Sequence, residues 1–313
     1  MTAGTLALKE AIASGLHFIL ARQAEDGSWM EWALPPGSSS MWTTAYVGFK
    51  LRNLPSDLAS MAAPHIRAAA RWLGNHEFAD CGWGYNEVVD SDADSTSYAI
   101  LFLASAGQRV SDASYNVLQS LQCTDGGFAT YLPTGESNSW NVSHPDVTPI
   151  ALLALLTHPT PDRNAIQRGT EYVLQQKTSL GLWNSFWWGS CLYGTEASLS
   201  LLDAVGFETP LSAALSQIKP TNAFEVALLT SSLLYANFDG SHAMICDLVN
   251  ELITQQQADG RWNTGPILRV TRRNCYEPWI SDDPGQLYEE SARLFTTATV
   301  LNVLTKVYAW LNR

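Results

Sequence analysis

The sequence predicts an all-α fold: a single α/α toroid over residues 1–313, with six inner and six outer helices. Three observations predict this fold. A turn with the pattern Q-x-x-D-G-x-W recurs along the chain, an amphipathic helix precedes each turn, and a loop and a more apolar helix come after it. Intervals of roughly fifty residues between copies fit one helical hairpin per repeat.

The turns carry the clearest repeat. The segments Gln23–Trp29, Gln122–Phe128 and Gln257–Trp262 each place Asp-Gly before an aromatic residue, and weaker copies end at Trp83 and Trp183. Asp-Gly favours tight turns, and the Gln and Trp side chains can bind the end of one helix to the next element. We therefore expect these turns to be structural and to carry no chemistry.

The helices before the turns mix charged and amide residues with apolar ones, as an outer layer requires. They are predicted at Leu6–Ala24, Ala59–Asn75, Asp112–Gln122, Arg163–Gln176, Pro210–Ile218 and His242–Gln257. The helices after the loops are almost entirely apolar, small or aromatic, which is typical of buried helices. They are predicted at Met41–Leu51, Thr96–Ala106, Val147–Thr157, Leu192–Val205, Asn222–Ala236 and Ser291–Leu311.

The inner helices of such a toroid all run in one direction, so their N-termini share one rim. Polar and acidic residues stand at these N-termini: Trp42–Thr44, Asp94–Thr96, Asp146–Thr148, Tyr193–Glu196, Thr221–Glu225 and Glu289–Arg293. Helix capping explains many of them. Their convergence with Trp and Tyr nevertheless predicts a site at one mouth of an apolar cavity.

Composition restricts the function classes. The net charge of -12 disfavours nucleic acids and anionic membranes as partners. The five cysteines form no C-x-x-C, which argues against a disulfide framework or a zinc ribbon. No apolar run approaches the ~20 residues of a membrane span, and no basic-apolar leader opens the chain. We expect a cytoplasmic protein without a transmembrane segment.

The most informative stretch is Asp90–Thr96, which has three carboxylates at alternate positions before an apolar helix, in a chain with 15% charged residues. One interpretation is an ordinary helix N-terminus, because Asp and Ser side chains accept hydrogen bonds from the free N–H groups of the first turn. The other is a Brønsted acid. Crowded carboxylates cannot all ionise, so the pKa of one of them rises. The stretch alone leaves both interpretations open.

Three features of the chain resemble the squalene-hopene cyclase family of class II terpene cyclases. The first is the repeated turn, and the second is Asp92–Thr96, which is similar to the acid motif D-x-D-D-T. The third is Pro145–Thr148 with Trp188–Thr195 after it, similar to an ordered D-V-T and W-G-x-N-Y-L-Y-G-T pair. The resemblance spans nearly the whole chain. It implies a single toroid, as in the cyanobacterial merosterol-type cyclases that fold prenylated aromatic acids into meroterpenoids.

The resemblance implies an isomerase that starts cyclisation by protonating an alkene. The substrate would be a linear prenylated hydroxybenzoate, with farnesyl as the expected prenyl group, and its rings would close through carbocations. Asp94 is implied to be the proton donor, and Asp92 to hold the proton in a reactive orientation. Tyr193 is implied to act on the acid through water, and neither a cofactor nor a metal is expected.

Other residues around the motif are implied to support the acid: Asp146, Ser95 and Thr96. Ser95 stands where the family has a last Asp, and Ile150 stands where it has a His that contacts the acid. His144 lies nearby in the sequence, but we expect it to be a solvated loop residue.

Apolar and aromatic walls suit this chemistry, because aromatic faces stabilise a carbocation by ~0.5–2 kcal/mol per ring without reacting with it. The candidate wall residues are Trp42, Phe186, Trp187, Trp188, Phe224, Trp279 and Phe295. For each one singly, core packing is an alternative role. Two long segments, Thr130–Pro145 and Asn263–Glu289, are expected to cover the mouth. The second carries Arg269, Arg272 and Arg273, which are candidates for binding a carboxylate head group.

Three other functions compete with this interpretation. A protein prenyltransferase of this fold needs an Asp, Cys and His zinc site, but Leu294–Thr299 has no His or Cys. A class I synthase needs D-D-x-x-D, and Asp282–Gln286 lacks the last Asp. A non-catalytic prenyl- or lipid-binding toroid stays open, and Ser95 and Ile150 favour it. Within class II cyclases, another linear terpenoid also stays open as the substrate. Uptake of an apolar substrate also raises the hypothesis of a peripheral membrane contact.

Overall fold

The computed structural model describes residues 3–133, 135–207, 214–236 and 241–312. Over these ranges it contains eleven α-helices, two 3-10 turns and two small sheets. The helices are α1 (Ala3–Leu20), α2 (Met41–Lys50), α3 (Ser56–Asn75), α4 (Ala93–Ser105), α5 (Asp112–Ser120), α6 (Val147–Leu155), α7 (Arg163–Gln175), α8 (Cys191–Ala204), α9 (Ala223–Tyr235), α10 (Ser241–Gln255) and α11 (Leu294–Leu311). The 3-10 turns are Ser139–Asn141 and Leu215–Gln217.

The inner layer is a closed ring of helices. Its members are α2, α4, α6, α8, α9 and α11; each packs on the next, and α11 packs back on α2. The helices α1, α3, α5, α7 and α10 pack outside this ring. The predicted all-α toroid is therefore confirmed. The predicted outer helix Pro210–Ile218 lies partly outside the described residues, and its described part forms the turn Leu215–Gln217.

The repeated turns bind each outer helix to neighbouring elements. In each of four turns, the indole N–H of the Trp donates to the carbonyl of the residue ten positions earlier. The pairs are Trp29 with Ile19, Trp83 with Leu73, Trp183 with Val173 and Trp262 with Leu252. The Gln side chains donate onward to the next outer helix: Gln23 to His65, Gln122 to Ala165 and Gln256 to Ala11. In the third full copy the Gln that makes this contact is thus Gln256; the prediction of Gln257 was wrong by one residue.

A Thr in the first turns of five inner helices completes the repeat. Its hydroxyl accepts a hydrogen bond from the backbone N–H of the aromatic residue in the preceding turn. The pairs are Thr44 with Trp29, Thr96 with Trp83, Thr148 with Phe128, Thr195 with Trp183 and Thr297 with Trp262. These contacts hold the five inner helices α2, α4, α6, α8 and α11 at one height, which places their N-termini on a common rim.

Two antiparallel hairpins at this rim were not predicted. Strands β1 (Glu31–Leu34) and β2 (Gly37–Ser39) form one, and β3 (Leu268–Thr271) and β4 (Gly285–Tyr288) form the other. In the second, Leu268 pairs with Tyr288 and Thr271 with Gly285. Strand β3 also binds the chain before α8, because the Arg269 N–H donates to the Trp187 carbonyl over 2.6 Å.

The last inner helix begins at Leu294 and not at the predicted Ser291, because Arg293 adopts a left-handed backbone conformation with φ 65°. The buried Glu31 carboxylate accepts from the backbone N–H groups of Ser291 and Ala292, both over 2.6 Å, and of Leu294 over 2.7 Å. A carboxylate at a helix N-terminus satisfies free donors and favours the helix dipole. The first hairpin is thereby joined to the last helix.

Helix α11 is long and apolar enough to cross a membrane by length and composition alone, contrary to the expectation that no segment would qualify. In the toroid 72% of this helix is buried, as is typical of the core helix of a folded protein. Deeper in the barrel, Lys306 of this helix contacts Glu196 over 3.4 Å and donates to Ser231 over 2.9 Å. Burial opposes ionisation of Glu196, but the charges of Lys306 and Lys50 lower its pKa to about 2. Glu196 is therefore an ion-pair partner inside the barrel, not a rim group.

Candidate active site

A cavity of about 390 Å³ opens at the rim where the inner helices begin. Volumes of this size are typical of small-molecule sites. Its wall combines helix starts, both hairpins and the loops before α6 and α8. The lining residues are Leu34, Pro35, Pro36, Trp42, Tyr85, Val89, Asp92, Asp94, Ser95, Thr130, Tyr131, Trp140, Asp146, Val147, Trp187, Trp188, Tyr193, Leu268, Arg269 and Val270.

Asp94 lies in the first turn of α4 and faces this cavity. Burial raises its pKa well above the ordinary value, and the negative charges of Asp92 and Asp146 raise it further. The Trp42 side chain and Lys50 act in the opposite direction without outweighing them. The protonated form of Asp94 is therefore strongly favoured, and this carboxyl group faces an apolar, aromatic space.

Asp92 is the N-cap of the same helix. Its carboxylate accepts from the Ser95 backbone N–H over 2.8 Å and from the Ser95 hydroxyl over 2.6 Å. Burial raises the pKa of Asp92 to about 6, while these hydrogen bonds hold it down. Asp92 is therefore mostly ionised at neutral pH, and the pKa of Asp94 is raised more strongly, which favours its protonated form. Asp92 is the capping residue, so the capping and Brønsted-acid interpretations of this stretch concern different carboxyl groups of one helix N-terminus.

Asp146 supplies the third carboxylate, from the N-cap position of α6. One of its oxygens accepts from the backbone N–H groups of Phe186 and Trp187, over 2.8 and 2.9 Å. The other is buried and has no hydrogen-bond partner among the described residues. Burial raises the pKa of Asp146 to about 6, against those two hydrogen bonds and the charge of Arg269.

Tyr193 lies in the cavity wall, and its hydroxyl is 2.7 Å from that of Tyr98. Burial raises the pKa of Tyr193 well above the ordinary value, and Tyr98 and Asp94 raise it further. The phenol is thus neutral. The structure brings Tyr193 to the same cavity as Asp94, and its action through water stays a prediction.

Ser95 and Thr96 do different things from each other. Ser95 lines the cavity and donates to Asp92. Thr96 is fully buried, and its hydroxyl bonds the N–H and the carbonyl of Trp83. Because Thr44 and Thr195 make the same contacts in other repeats, Thr96 serves the helix and not a carboxylate.

The aromatic residues predicted for the cavity fall into three groups. Trp42, Trp187 and Trp188 line it. Phe186, Phe224 and Phe295 lie behind them: Phe186 packs on Trp187, and the other two rings lie 5.2 and 5.3 Å from the ring centre of Trp188. Trp279 is half-buried and is not part of the wall, so its placement in the cavity was wrong. The aromatic wall residues missed were Tyr85, Tyr131 and Trp140. The last two stand in the segment 130–145 predicted to cover the mouth, but no motif marked them singly.

The three arginines predicted to bind the head group lie in different environments. Arg269 is 7% exposed and lines the cavity, and its guanidinium donates to the Ser185 carbonyl over 3.3 Å. Arg272 is exposed and forms an ion pair with Asp283 over 2.7 Å. Arg273 is exposed and stacks on Trp140, 4.7 Å from its ring centre, beside a neighbouring pocket. Only Arg269 of the three is in position to meet a ligand inside the cavity.

His144 is 1% exposed, so the prediction of a solvated histidine was wrong. Its ring contacts the Thr130 hydroxyl over 2.8 Å and the Ser139 carbonyl over 2.7 Å, and it stacks on Phe186. Burial is the first cause that lowers its pKa, to about 4, so it is neutral. Ile150 is a buried core residue of α6.

Within the described ranges, no group of three or more His, Cys, Asp or Glu side chains could hold a metal ion. The cavity has three carboxyl groups, of which Asp92 and Asp94 belong to the N-terminus of α4 and Asp146 to that of α6. Their arrangement stores a proton next to apolar walls, where protonation of an uncharged alkene requires it.

Comparisons with known proteins agree with this architecture. The model of the squalene-hopene cyclase C-terminal domain matches residues 2–131. The type II terpene cyclase MstE from Scytonema is 22% identical with a TM-score of 0.85, over 99% of both chains. A protein from Actinoplanes is 24% identical with a TM-score of 0.81, over 96% of this chain and 99% of that one.

A larger enzyme is similar over part of its length. The ent-copalyl diphosphate synthase from Streptomyces platensis is 17% identical with a TM-score of 0.60, and the match covers 85% of this chain and 50% of that one. The protein thus carries a squalene-hopene cyclase C-terminal domain match in residues 2–131 and has the α/α toroid fold of the type II terpene cyclases.

Proposed function

We propose that the protein is a class II terpene cyclase that folds a linear prenylated hydroxybenzoate into a polycyclic meroterpenoid. The observation that carries this proposal is Asp94, a neutral carboxylic acid at an inner-helix N-terminus, facing an aromatic cavity. Protonation of an alkene needs a neutral acid in water-poor surroundings. The ionised Asp92 beside it accounts for part of its raised pKa.

The reaction starts when the Asp94 O–H proton adds to the terminal alkene, leaving the Asp94 carboxylate and a tertiary carbocation. The π electrons of the next alkene close a ring and move the positive charge along the chain. Loss of a proton from the last cation ends the cascade without net addition of atoms. Trp42, Trp187 and Trp188 line the path of the charge, and each face contributes ~0.5–2 kcal/mol to a desolvated cation.

The substrate class rests on the head-group end of the cavity. Arg269 is buried and lines the cavity, so its guanidinium is in position to meet a carboxylate there. MstE has been solved with geranylgeranyl dihydroxybenzoate as substrate and with merosterolic acid A as product. By analogy we propose a prenylated hydroxybenzoate here, farnesylated or longer. We propose a cytoplasmic site, with peripheral membrane contact during uptake of so apolar a molecule.

A non-catalytic prenyl-binding protein is the second candidate, because Ser95 and Ile150 depart from the acid motif and its histidine. The Ser95 hydroxyl weakens this alternative, since it donates to Asp92 and favours the ionised form of that residue. The remaining departure, Ile150, concerns return of the proton to Asp94 more than its first transfer.

The test is an assay with farnesyl- and geranylgeranyl-hydroxybenzoate, in which cyclised isomers of unchanged mass are separated by chromatography and mass spectrometry. We expect turnover by the wild type and none by Asp94→Asn, which keeps the size of the side chain and removes the acidic proton. A binding measurement with Asp94→Asn serves as the control, because the substrate should still enter. Binding of substrate by the wild type without any cyclisation would favour the lipid-binding alternative.

A further inference from the structure

Trp187 is a wall residue whose side chain and backbone are both held by buried polar groups on other elements. We propose that Thr130 and His144 are positioning residues that orient the Trp187 indole over the cavity and so help determine which carbocation is quenched. The inference rests on the proposed cyclase function. It gives His144, which lies outside the acid motif, a positioning role in the reaction.

Trp187, Thr130, His144 and Ser139 form a series of hydrogen bonds, here called the relay, in which each donor and acceptor can be assigned. His144 Nε2 is 2.7 Å from the Ser139 carbonyl, which can only accept, so Nε2 carries the ring proton. His144 is neutral, so Nδ1 accepts, and the Thr130 hydroxyl 2.8 Å away is its donor. The Thr130 oxygen is then free to accept from the Trp187 indole N–H, at 2.8 Å. Each of these polar atoms therefore has a defined role as donor or acceptor.

The groups behind Trp187 are rigidly enclosed. Thr130, Ser139 and His144 are 4%, 0% and 1% exposed. His144 stacks on Phe186 with ring centres 3.9 Å apart, and this contact fixes the plane of the imidazole. A hydrogen-bonded, buried hydroxyl therefore stands at a defined place behind the indole, where an apolar side chain would let the ring turn.

The backbone of Trp187 is held as well. Its N–H donates to Asp146 over 2.9 Å, and its carbonyl accepts from the Arg269 N–H over 2.6 Å. With the main chain held on both sides, the contact to Thr130 selects the side-chain orientation. Trp140 and Phe186 make T-shaped contacts with the Trp187 ring, with ring centres 5.2 and 5.1 Å away.

Orientation of an indole matters in this reaction, because a cation is attracted to the ring face and repelled by its positive edge. Donation by the indole N–H into a polarised series of hydrogen bonds also makes the ring more electron-rich. Trp187 should therefore act after protonation, on the cations of the cascade. A disturbed relay should change the product distribution more than the rate of substrate consumption.

The experiment compares Thr130→Val, which keeps the shape but removes the hydroxyl, with Thr130→Ser, which restores it. For Thr130→Val we expect a rise in partially cyclised or water-quenched products of about two- to fivefold. Substrate consumption should fall less than this. Thr130→Ser should restore the wild-type distribution, and Thr254→Val, exposed on α10, controls for general loss of a Thr hydroxyl. An unchanged distribution in Thr130→Val would overturn the proposal.

A second measurement does not depend on turnover. The indole N–H signal of Trp187, identified by its loss in Trp187→Phe, should move upfield in Thr130→Val when its acceptor is removed. The indole N–H of Trp29 is the control, because it donates to the Ile19 carbonyl over 3.0 Å in a repeat turn and should not move. A Trp187 signal that stays in place would also overturn the relay.

The two measurements also separate this relay from the proposed function. If the wild type shows no turnover but the Trp187 indole signal shifts in Thr130→Val as expected, the proposed function is wrong. The hydrogen bonds of the relay would still be confirmed. If Thr130→Val does not fold, Trp187→Phe keeps the aromatic face and removes the donor. An unchanged product distribution in Trp187→Phe would refute the proposal.

Discussion

Replacing Asp92 by Asn tests whether the site keeps its carboxylates at the expense of folding stability. Asn has nearly the same shape and can still accept from the Ser95 N–H, which lies 2.8 Å from the carboxylate in the wild type. The wild-type carboxyl has a pKa raised from 3.8 to about 6, with burial as the first cause. A folded-state pKa above the unfolded value destabilises the protein as the pH rises, because the unfolded chain ionises more easily.

The size of the effect is set by that shift. A change from 3.8 to about 6 corresponds to about 3 kcal/mol between protonation states. The contribution of Asp92 to stability is fully present below pH 3.8, is lost as the pH rises to about 6 and is constant above that. We therefore expect the free energy of unfolding of Asp92→Asn, relative to the wild type, to rise by about 2.4 kcal/mol between pH 4 and pH 7.

The assay is chemical denaturation at several pH values, monitored by far-UV circular dichroism. Asp247→Asn, at an exposed position on α10, is the matched control for the loss of one carboxylate. Cyclisation by Asp92→Asn should be slower than in the wild type, because the charge that helps Asp94 keep its proton is gone. A stability difference that is flat from pH 4 to pH 7 would refute the reasoning, and so would one that falls.

Three further outcomes are expected. Arg269→Gln should raise KM for a carboxylated substrate by about tenfold, the loss of one charge-assisted contact, and leave KM for a decarboxylated analogue unchanged. Arg272→Gln is the control. If the two variants raise KM for the carboxylated substrate equally, Arg269 does not bind the head group. A chelator should leave turnover unchanged, and loss of activity that zinc or magnesium restores would contradict this. Lys306→Met should destabilise the fold by about 3–5 kcal/mol in thermal unfolding, because it leaves Glu196 charged and buried without its partner. The double variant with Glu196→Gln should recover much of the lost stability. If Lys306→Met alone is as stable as the wild type, the assignment of a buried ion pair between Lys306 and Glu196 is wrong.

The sequence by itself determined the features that depend on near neighbours in the chain. Asp-Gly turns, apolar inner helices and the Asp92–Thr96 stretch are local patterns, and they predicted the toroid, its common rim and the position of Asp94. The indole contacts of the turns join residues ten apart, well within the reach of a local repeat. Even here, one register was wrong, because Gln255, Gln256 and Gln257 are adjacent and only the contact with Ala11 selects Gln256.

Only the tertiary structure decided which side chains share a space. Glu31 caps the last helix across a separation of 260 residues, and Thr130 meets Trp187 across 57. A loop residue carries no periodicity that reports its direction, so the sequence could not separate Arg269 from Arg272, bury His144 or keep Trp279 out of the wall. The direction of each of these side chains is set by packing against segments distant in the chain, and that packing exists only once the ring of helices has closed.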